Sequence, residues 1–320
     1  MKKMTVALLS GGISPEREVS LKSGDEVFKA LNKGKYEIRR YDPATDLPRL
    51  VADAPEIDIA LIILHGPFGE DGTIQGFLDM LNIPYQGSGV LGSALAMDKA
   101  VAKRLYKDAG LLVPPFKILK RGMSYESREI VKEIGLPLLT KPASGGSSIG
   151  MHLVSVEAEL EGAMKDAFRY DSTVIVEAYI KGREITGAVL GNEALELLPV
   201  VEIIPSSSQP FFDYTAKYDT TGATREICPA PIDDTLAEQA QQYAATAHRA
   251  LCCEGYSRTD MIVQDEKIFI LETNTIPGMT SVSLFPLAAK TAGLTFGQLL
   301  DRLIDLGLES HQRDKRDDNS

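Results

Sequence analysis

The sequence predicts a mixed fold: α/β at the start of the chain, built on a doubly wound parallel sheet, and α+β beyond it. Three observations point there. In the first third, short apolar runs alternate with helix-length segments. That rhythm breaks at Pro114-Pro115, a candidate hinge. Past it, several short strand-like runs surround one long helical stretch, Asp233–Leu251. With 320 residues and roughly 150 residues per domain, two domains or three small ones are expected.

In chain order, Thr5–Leu9 is an apolar run stopped by Ser10-Gly11-Gly12, and Glu16–Leu31 reads as the helix after it. Tyr36–Tyr41 and Asp58–Leu64 are the next strands, followed by a helix over Gly72–Leu81 and a short strand-like run at Pro84–Gln86. One helix is predicted from Ser93 to Ala109, ended by Gly110. Strands then fall at Phe116–Leu119, Leu138–Lys141, Met151–Val154 and Thr173–Ala178, with helices over Ser127–Ile134 and Ser155–Ala167. Beyond Gly182 lie further strands, the long helix, a strand pair and a closing helix at Phe296–Leu306. Pro205–Pro229 is polar and aromatic, and long for a plain connection; lids and binding loops have that character. Glu309–Ser320 is almost wholly polar and is expected to fray.

Composition narrows the function. Lys and Arg number 34 against 45 Asp and Glu, a formal net charge of −11. That balance leaves no general footprint for nucleic acid or an anionic membrane, although a few lysines at one site can still hold a small anion. The cysteines, Cys228, Cys252 and Cys253, make a poor disulfide framework and contain no Cys-x-x-Cys pair, which fits a reducing compartment. The apolar run that stops at Gly11-Gly12 is short for a signal-peptide core. Ile57–Leu64 is interrupted by Asp58 and falls far below the roughly 20 residues that span a bilayer. A soluble, cytoplasmic protein is the expectation.

Gly87-Ser88-Gly89-Val90-Leu91-Gly92 matches the dinucleotide fingerprint in form, but it follows several strands and no carboxylate stands where the ribose partner belongs. It reads as a strand-to-helix turn. Lys141-Pro142 leads into Ala143-Ser144-Gly145-Gly146-Ser147-Ser148-Ile149-Gly150. Such a loop either cradles phosphate with backbone N–H groups beside the ammonium, or is a flexible hairpin connection. The strongest constellation lies on the strand pair that carries Arg258, Asp260, Glu272 and Asn274. By the period of two, Arg258 and Asp260 share a face, as do Glu272 and Asn274. If the register sets Asp260 opposite Glu272, all four converge; that pairing calls for an odd number of loop residues. Oxygen ligands of this kind suit Mg²⁺, and the arginine suits a developing anion; the plain alternative is a salt-bridged, solvated face. Glu16 and His65 each follow an early strand, where open α/β sheets bind ligands. Glu16 also fits a first-turn carboxylate, and a lone histidine is often structural.

Taken together, Pro15-Glu16-Arg17-Glu18-Val19-Ser20, His65-Gly66-x-x-Gly69-Glu70-Asp71-Gly72, Met97-Asp98-Lys99, Lys141-Pro142 with Gly146-Ser147-Ser148-x-Gly150, Asp213-Tyr214-x-Ala216-Lys217-Tyr218, and Leu271-Glu272-x-Asn274-Thr275-x-Pro277-Gly278-Met279-Thr280 resemble the D-alanine–D-alanine ligases of the ATP-grasp superfamily. The resemblance spans residues 4–307. It implies a three-domain ATP-grasp fold: a substrate-binding domain over 1–95, a central subdomain over 96–184, a C-terminal subdomain over 185–308 with a mobile loop at 205–229, and a polar tail over 309–320. It also implies ATP, two Mg²⁺ (or Mn²⁺) and a homodimer, and a peptidoglycan-precursor reaction through an acyl phosphate.

By the same resemblance, Glu16 anchors the first D-alanine and is linked through Ser147 to Tyr218. Lys99, Lys141 and Lys217 contact ATP phosphates, while Glu177, Ile180 and Glu184 bind adenine and ribose, the first two largely through the hinge segment. Asp260, Glu272 and Asn274 hold the metal ions. Arg258 and the Gly278 backbone face the oxyanion, Ser283 and Leu284 receive the second carboxylate, and His65 lies near that substrate. Tyr218 favours a dipeptide product over D-alanyl-D-lactate, whose makers commonly carry histidine there. Gly145 and Ala178 stand where many members have a polar residue and a lysine, which bears on nucleotide affinity. The competing readings are a carboxylate–amine ligase with another acceptor and a catalytically inactive ATP-binding module.

Overall fold

A computed structural model describes residues 2–146, 149–205 and 224–317. The chain opens with β1 (Met4–Leu9), α1 (Arg17–Ala30), β2 (Tyr36–Tyr41), α2 (Leu47–Asp53), β3 (Ile59–Ile62) and α3 (Thr73–Met80). The three strands form a parallel sheet with β1 in the middle. Val6 to Leu9 and Ile59 to Ile62 are all buried, so these strands read as continuous apolar runs rather than alternating ones. The Pro84–Gln86 run contributes one parallel bridge, Tyr85 to Ala60.

The single helix expected over Ser93–Ala109 is two, α4 (Val90–Met97) and α5 (Lys99–Asp108). Asp98 breaks them: its extended backbone ends α4, and its carboxylate accepts the Ala100 and Val101 N–H groups at 2.9 and 3.0 Å to cap α5. Apolar periodicity alone ran through this cap.

Next come β4 (Phe116–Lys120), α6 (Ser127–Ile134), β5 (Leu138–Pro142), β6 (His152–Val154), α7 (Leu160–Tyr170) and β7 (Thr173–Ala178). The strands make an antiparallel sheet in the order β4-β7-β5-β6. Val174 and Val176 face α6 and α7, while Ile175 turns the other way toward Ala100 of α5.

The last part contains β8 (Arg183–Leu190), β9 (Glu196–Leu197), β10 (Val201–Ile204), β11 (Arg225–Ile227), α8 (Asp234–Ala250), β12 (Tyr256–Gln264), β13 (Lys267–Asn274), α9 (Leu284–Thr291) and α10 (Phe296–Asp317). Its sheet runs β11-β10-β8-β12-β13, with β9 added on β8. α8 covers one face together with Ala96, Ala102 and Tyr106 of α4 and α5, so α5 lies between the two antiparallel sheets. α10 returns to the start of the chain, where Leu299, Leu300, Leu303 and Ile304 pack with Val6, Leu8, Ile59 and Leu61.

The connection expected over 205–229 carries β11 at Arg225–Ile227, two helices were not foreseen, and the tail needs correction. α2 and α9 had no counterpart in the sequence reading. The tail expected to fray from Glu309 is helical as far as Asp317; Ser310 and Arg313 bond the carboxylate of Glu254, an anchor that polarity alone conceals. Among the described residues, no helix is long and apolar enough to cross a membrane.

Candidate active site

The β12–β13 hairpin turns through Asp265 and Glu266, whose φ values of +48° and +62° suit a two-residue loop. That loop is even, not odd. Pairing is regular from Gln264–Lys267 to Met261–Ile270; Leu271 is then the extra residue of a bulge, and Asp260 faces Glu272. The bulge therefore supplies the parity that the loop lacks. Arg258 faces Asn274, and the four side chains gather on one face. Arg258 grips Asp260 at two points, Nε to Oδ1 at 3.0 Å and Nη2 to Oδ2 at 2.8 Å. Thr186 Oγ1 donates to the same carboxylate at 2.8 Å and Asn274 Nδ2 at 3.3 Å. Burial opposes the charge on Arg258, but Asp260 outweighs it and raises the guanidinium pKa. Two carboxylates and an amide oxygen form a hard donor set of the kind that suits Mg²⁺.

The cationic side comes from α5 and β5. Lys99, the first residue of α5, lies 3.3 Å from Glu272 Oε2 and donates to the Gly145 carbonyl at 2.6 Å. Lys141 Nζ sits 2.6 Å from Glu177 Oε1, and Lys103 Nζ 2.8 Å from Glu177 Oε2. Leu139 pairs with Glu177, so Lys141, two residues along β5, shares its face. Burial alone would push the Glu177 carboxyl up; the two ammonium groups override it and hold it down at about 2.

A third wall is built from loops after β1 and β3 and from the start of α9. Glu16 is buried, immediately before α1. A Cβ on Gly66 would stand 2.6 Å from Glu16 Oε2, and one on Gly146 2.9 Å, so both glycines let the chain close on that carboxylate. His65 is buried, and burial lowers its pKa against the pull of Glu16, which favours a neutral ring. Glu70 accepts the Gly66 N–H at 2.7 Å; burial and the nearby Glu16 raise its pKa to about 8. Ser283 precedes α9, where its Oγ accepts the Thr280 N–H at 3.2 Å. The unpaired N–H groups that begin a helix suit a carboxylate there. Gly278 approaches Ser283, with a Cβ position 3.1 Å from its Oγ.

These groups border two cavities. One, of about 510 Å³, is lined by Glu16, His65, Arg258, Asn274, Gly278, Ser283 and Leu284. The other, of about 150 Å³, is lined by Lys141, Glu177, Ala178, Ile180, Glu184 and Asp260. Lys99, Gly145, Gly146 and Glu272 border both. The sequence-predicted residues thus converge, apart from Ser147, Lys217 and Tyr218, which lie outside the described residues. Sequence reasoning gave no task to Glu70, Lys103 or Thr186. Glu70 was within reach inside the His65-to-Gly72 motif.

Residues 44–88 match the family described as D-ala D-ala ligase N-terminus, and residues 105–305 the one described as D-ala D-ala ligase C-terminus. The chain is 59% identical over 308 residues to a D-alanine--D-alanine ligase of Syntrophobacter fumaroxidans, covering 96% of this chain and 99% of that one. It is 54% identical over 316 residues to a protein of the same description from Desulfotalea psychrophila, covering 98% of each. The solved structure of the D-alanine--D-alanine ligase from Bacillus anthracis complexed with ATP matches with a TM-score of 0.85 at 34% identity, over 97% of this chain and 99% of that one.

Proposed function

The chain belongs to the D-alanine–D-alanine ligase family, and from that premise we propose that it joins two D-alanine molecules into D-alanyl-D-alanine for peptidoglycan precursor synthesis, converting ATP to ADP and phosphate. The observation that carries this reading is the meeting of the two cavities at Lys99 and Glu272. A nucleotide in the small cavity would aim its phosphates at a carboxylate substrate in the large one.

In the reaction, the first D-alanine carboxylate takes the γ-phosphoryl group and becomes an acyl phosphate. The amino group of the second attacks the acyl carbon and loses a proton, and the tetrahedral intermediate expels phosphate. Glu16 would accept from the first ammonium, aided by Ser147 and Tyr218. Arg258 and the Gly278 N–H would meet the oxyanion where charge develops. Ser283 and Leu284 would hold the second carboxylate, and neutral His65 would stand beside that substrate. Lys99, Lys141 and Lys217 would bind phosphates. Ile180 and Glu184 would bind adenine and ribose; the Glu177 carboxylate is committed to two lysines, so its share falls to the main chain. Asp260, Glu272 and Asn274 fit two Mg²⁺ (or Mn²⁺), which would neutralise phosphate charge when bound.

We place the enzyme in the cytoplasm as a homodimer, divided into domains near residues 95 and 184. A net charge of −11 supports neither a nucleic-acid nor a membrane partner. The test is ADP formation that depends on D-alanine, with the product identified by mass and D-lactate and D-serine offered in competition. D-alanyl-D-alanine as the main product supports the proposal. A different product would move the chain to another acceptor, and ATP binding without turnover would make it an inactive module.

A further inference from the structure

Lys103 is fully buried, lines neither cavity and has no place in the mechanism above. Burying an ammonium group is strongly unfavourable unless a counter-charge meets it. Here one does: Lys103 holds Glu177 Oε2 at 2.8 Å, and the other oxygen, Oε1, holds Lys141 at 2.6 Å. Lys141 borders the small cavity, so Glu177 stands between a buried ammonium and a cavity-facing one. The charges add to one net positive. Remove Lys103 and the rest is a neutral ion pair. The Phe116 ring, 5.8 Å from Lys103 Nζ, and Ala100 and Ile175 nearby leave the triad in apolar surroundings where the count matters. Burial, with Lys141 adding to it, lowers the Lys103 pKa to about 8 against the pull of Glu177 and Glu272, which leaves the ammonium form in the majority at neutral pH.

We propose that Lys103 is a positioning residue for ATP: by occupying one oxygen of Glu177 it aims the other at Lys141, and it leaves the triad with a net positive charge for the phosphates. The proposal rests on the ligase reading for the identity of the nucleotide. Two variants separate positioning from simple structural support. Lys103→Met removes the charge at similar length, and Lys103→Met combined with Glu177→Gln returns the triad to one positive charge on Lys141.

The measurement is calorimetric titration with ATP, and with adenosine as the phosphate-free control. Lys103→Met should weaken ATP binding about tenfold or more, leave adenosine within about threefold, and leave the KM for D-alanine unchanged. The double variant should recover ATP affinity to within about threefold of the parent. Unchanged ATP affinity in Lys103→Met, equal losses for ATP and adenosine, or a double variant no better than the single one would each overturn the proposal. If only Lys103→Met fails to fold, the double variant decides alone by the same threefold criterion. Failure of both to fold would make Lys103 a structural residue only and overturn it. The parent chain's D-alanine-dependent ADP formation tests the ligase reading separately.

Discussion

Asp260 accepts from Arg258, Thr186 and Asn274 while facing Glu272 across the hairpin. Its neighbour Glu272 is partly exposed and lies beside Lys99, so the two carboxylates should respond differently to mutation. Glu272→Gln should lower turnover by about 100-fold or more, with the melting temperature within about 3 °C of the parent; near-normal phosphate release would take it out of the site. A second test sits behind β12, where His248 Nδ1 lies 2.8 Å from Ser257 Oγ. Burial, with Arg249 adding to it, lowers the His248 pKa from 6.5 to about 4. Between those values the unfolded chain binds a proton that the native one does not, so stability falls as pH drops through the window. His248→Gln should flatten that part of the urea-denaturation profile; an identical slope would remove His248 as its source. Carboxylates at period-two spacing were legible in the sequence. The buried Lys103 was not, because a lysine on a helix reads as surface until its partner from another sheet is known.

At the scale of elements, strands were easier to read than helix ends. β2 and β7 fall on their expected residues; β7 is an apolar run that leaves little choice, and β2 is marked by Tyr36, Ile38 and Tyr41 between turn residues. The Asp98 cap and the Leu271 bulge were missed for a common reason: each interrupts a regular element at a single residue without altering the apolar pattern. Glycines test the packing of these elements with opposite signs. In α7, a Cβ on Gly162 would meet nothing within 4 Å, so Gly162→Ala should stabilise, by about 0.5–1 kcal/mol from helix propensity. In α10, a Cβ on Gly307 would lie 2.5 Å from the Tyr85 carbonyl oxygen. Gly307→Ala should therefore destabilise, by about 1–3 kcal/mol, despite the same propensity gain. Thermal unfolding of the two variants checks both signs, and a stabilised Gly307→Ala would contradict the close approach of α10.

For the molecule as a whole, the alternating first third announced the parallel sheet, but nothing local announced what would cover it. Leu299, Leu300, Leu303 and Ile304 of α10 complete that core. Residues 1–95 produced alone should consequently lack cooperative unfolding and regain it when α10 is supplied, as circular dichroism would show. Cooperative folding of the fragment by itself would make α10 dispensable. The same packing has a consequence during synthesis. One side of the β-sheet formed first must wait for Leu299, Leu300, Leu303 and Ile304, which lie far along the chain from β3. At roughly 5–20 residues per second, the nascent chain carries uncovered valine, leucine and isoleucine side chains for on the order of 10–40 s. A ribosome-bound intermediate of this kind is a natural client for a chaperone that shields apolar surface, and slowing translation between β3 and α10 should raise that demand.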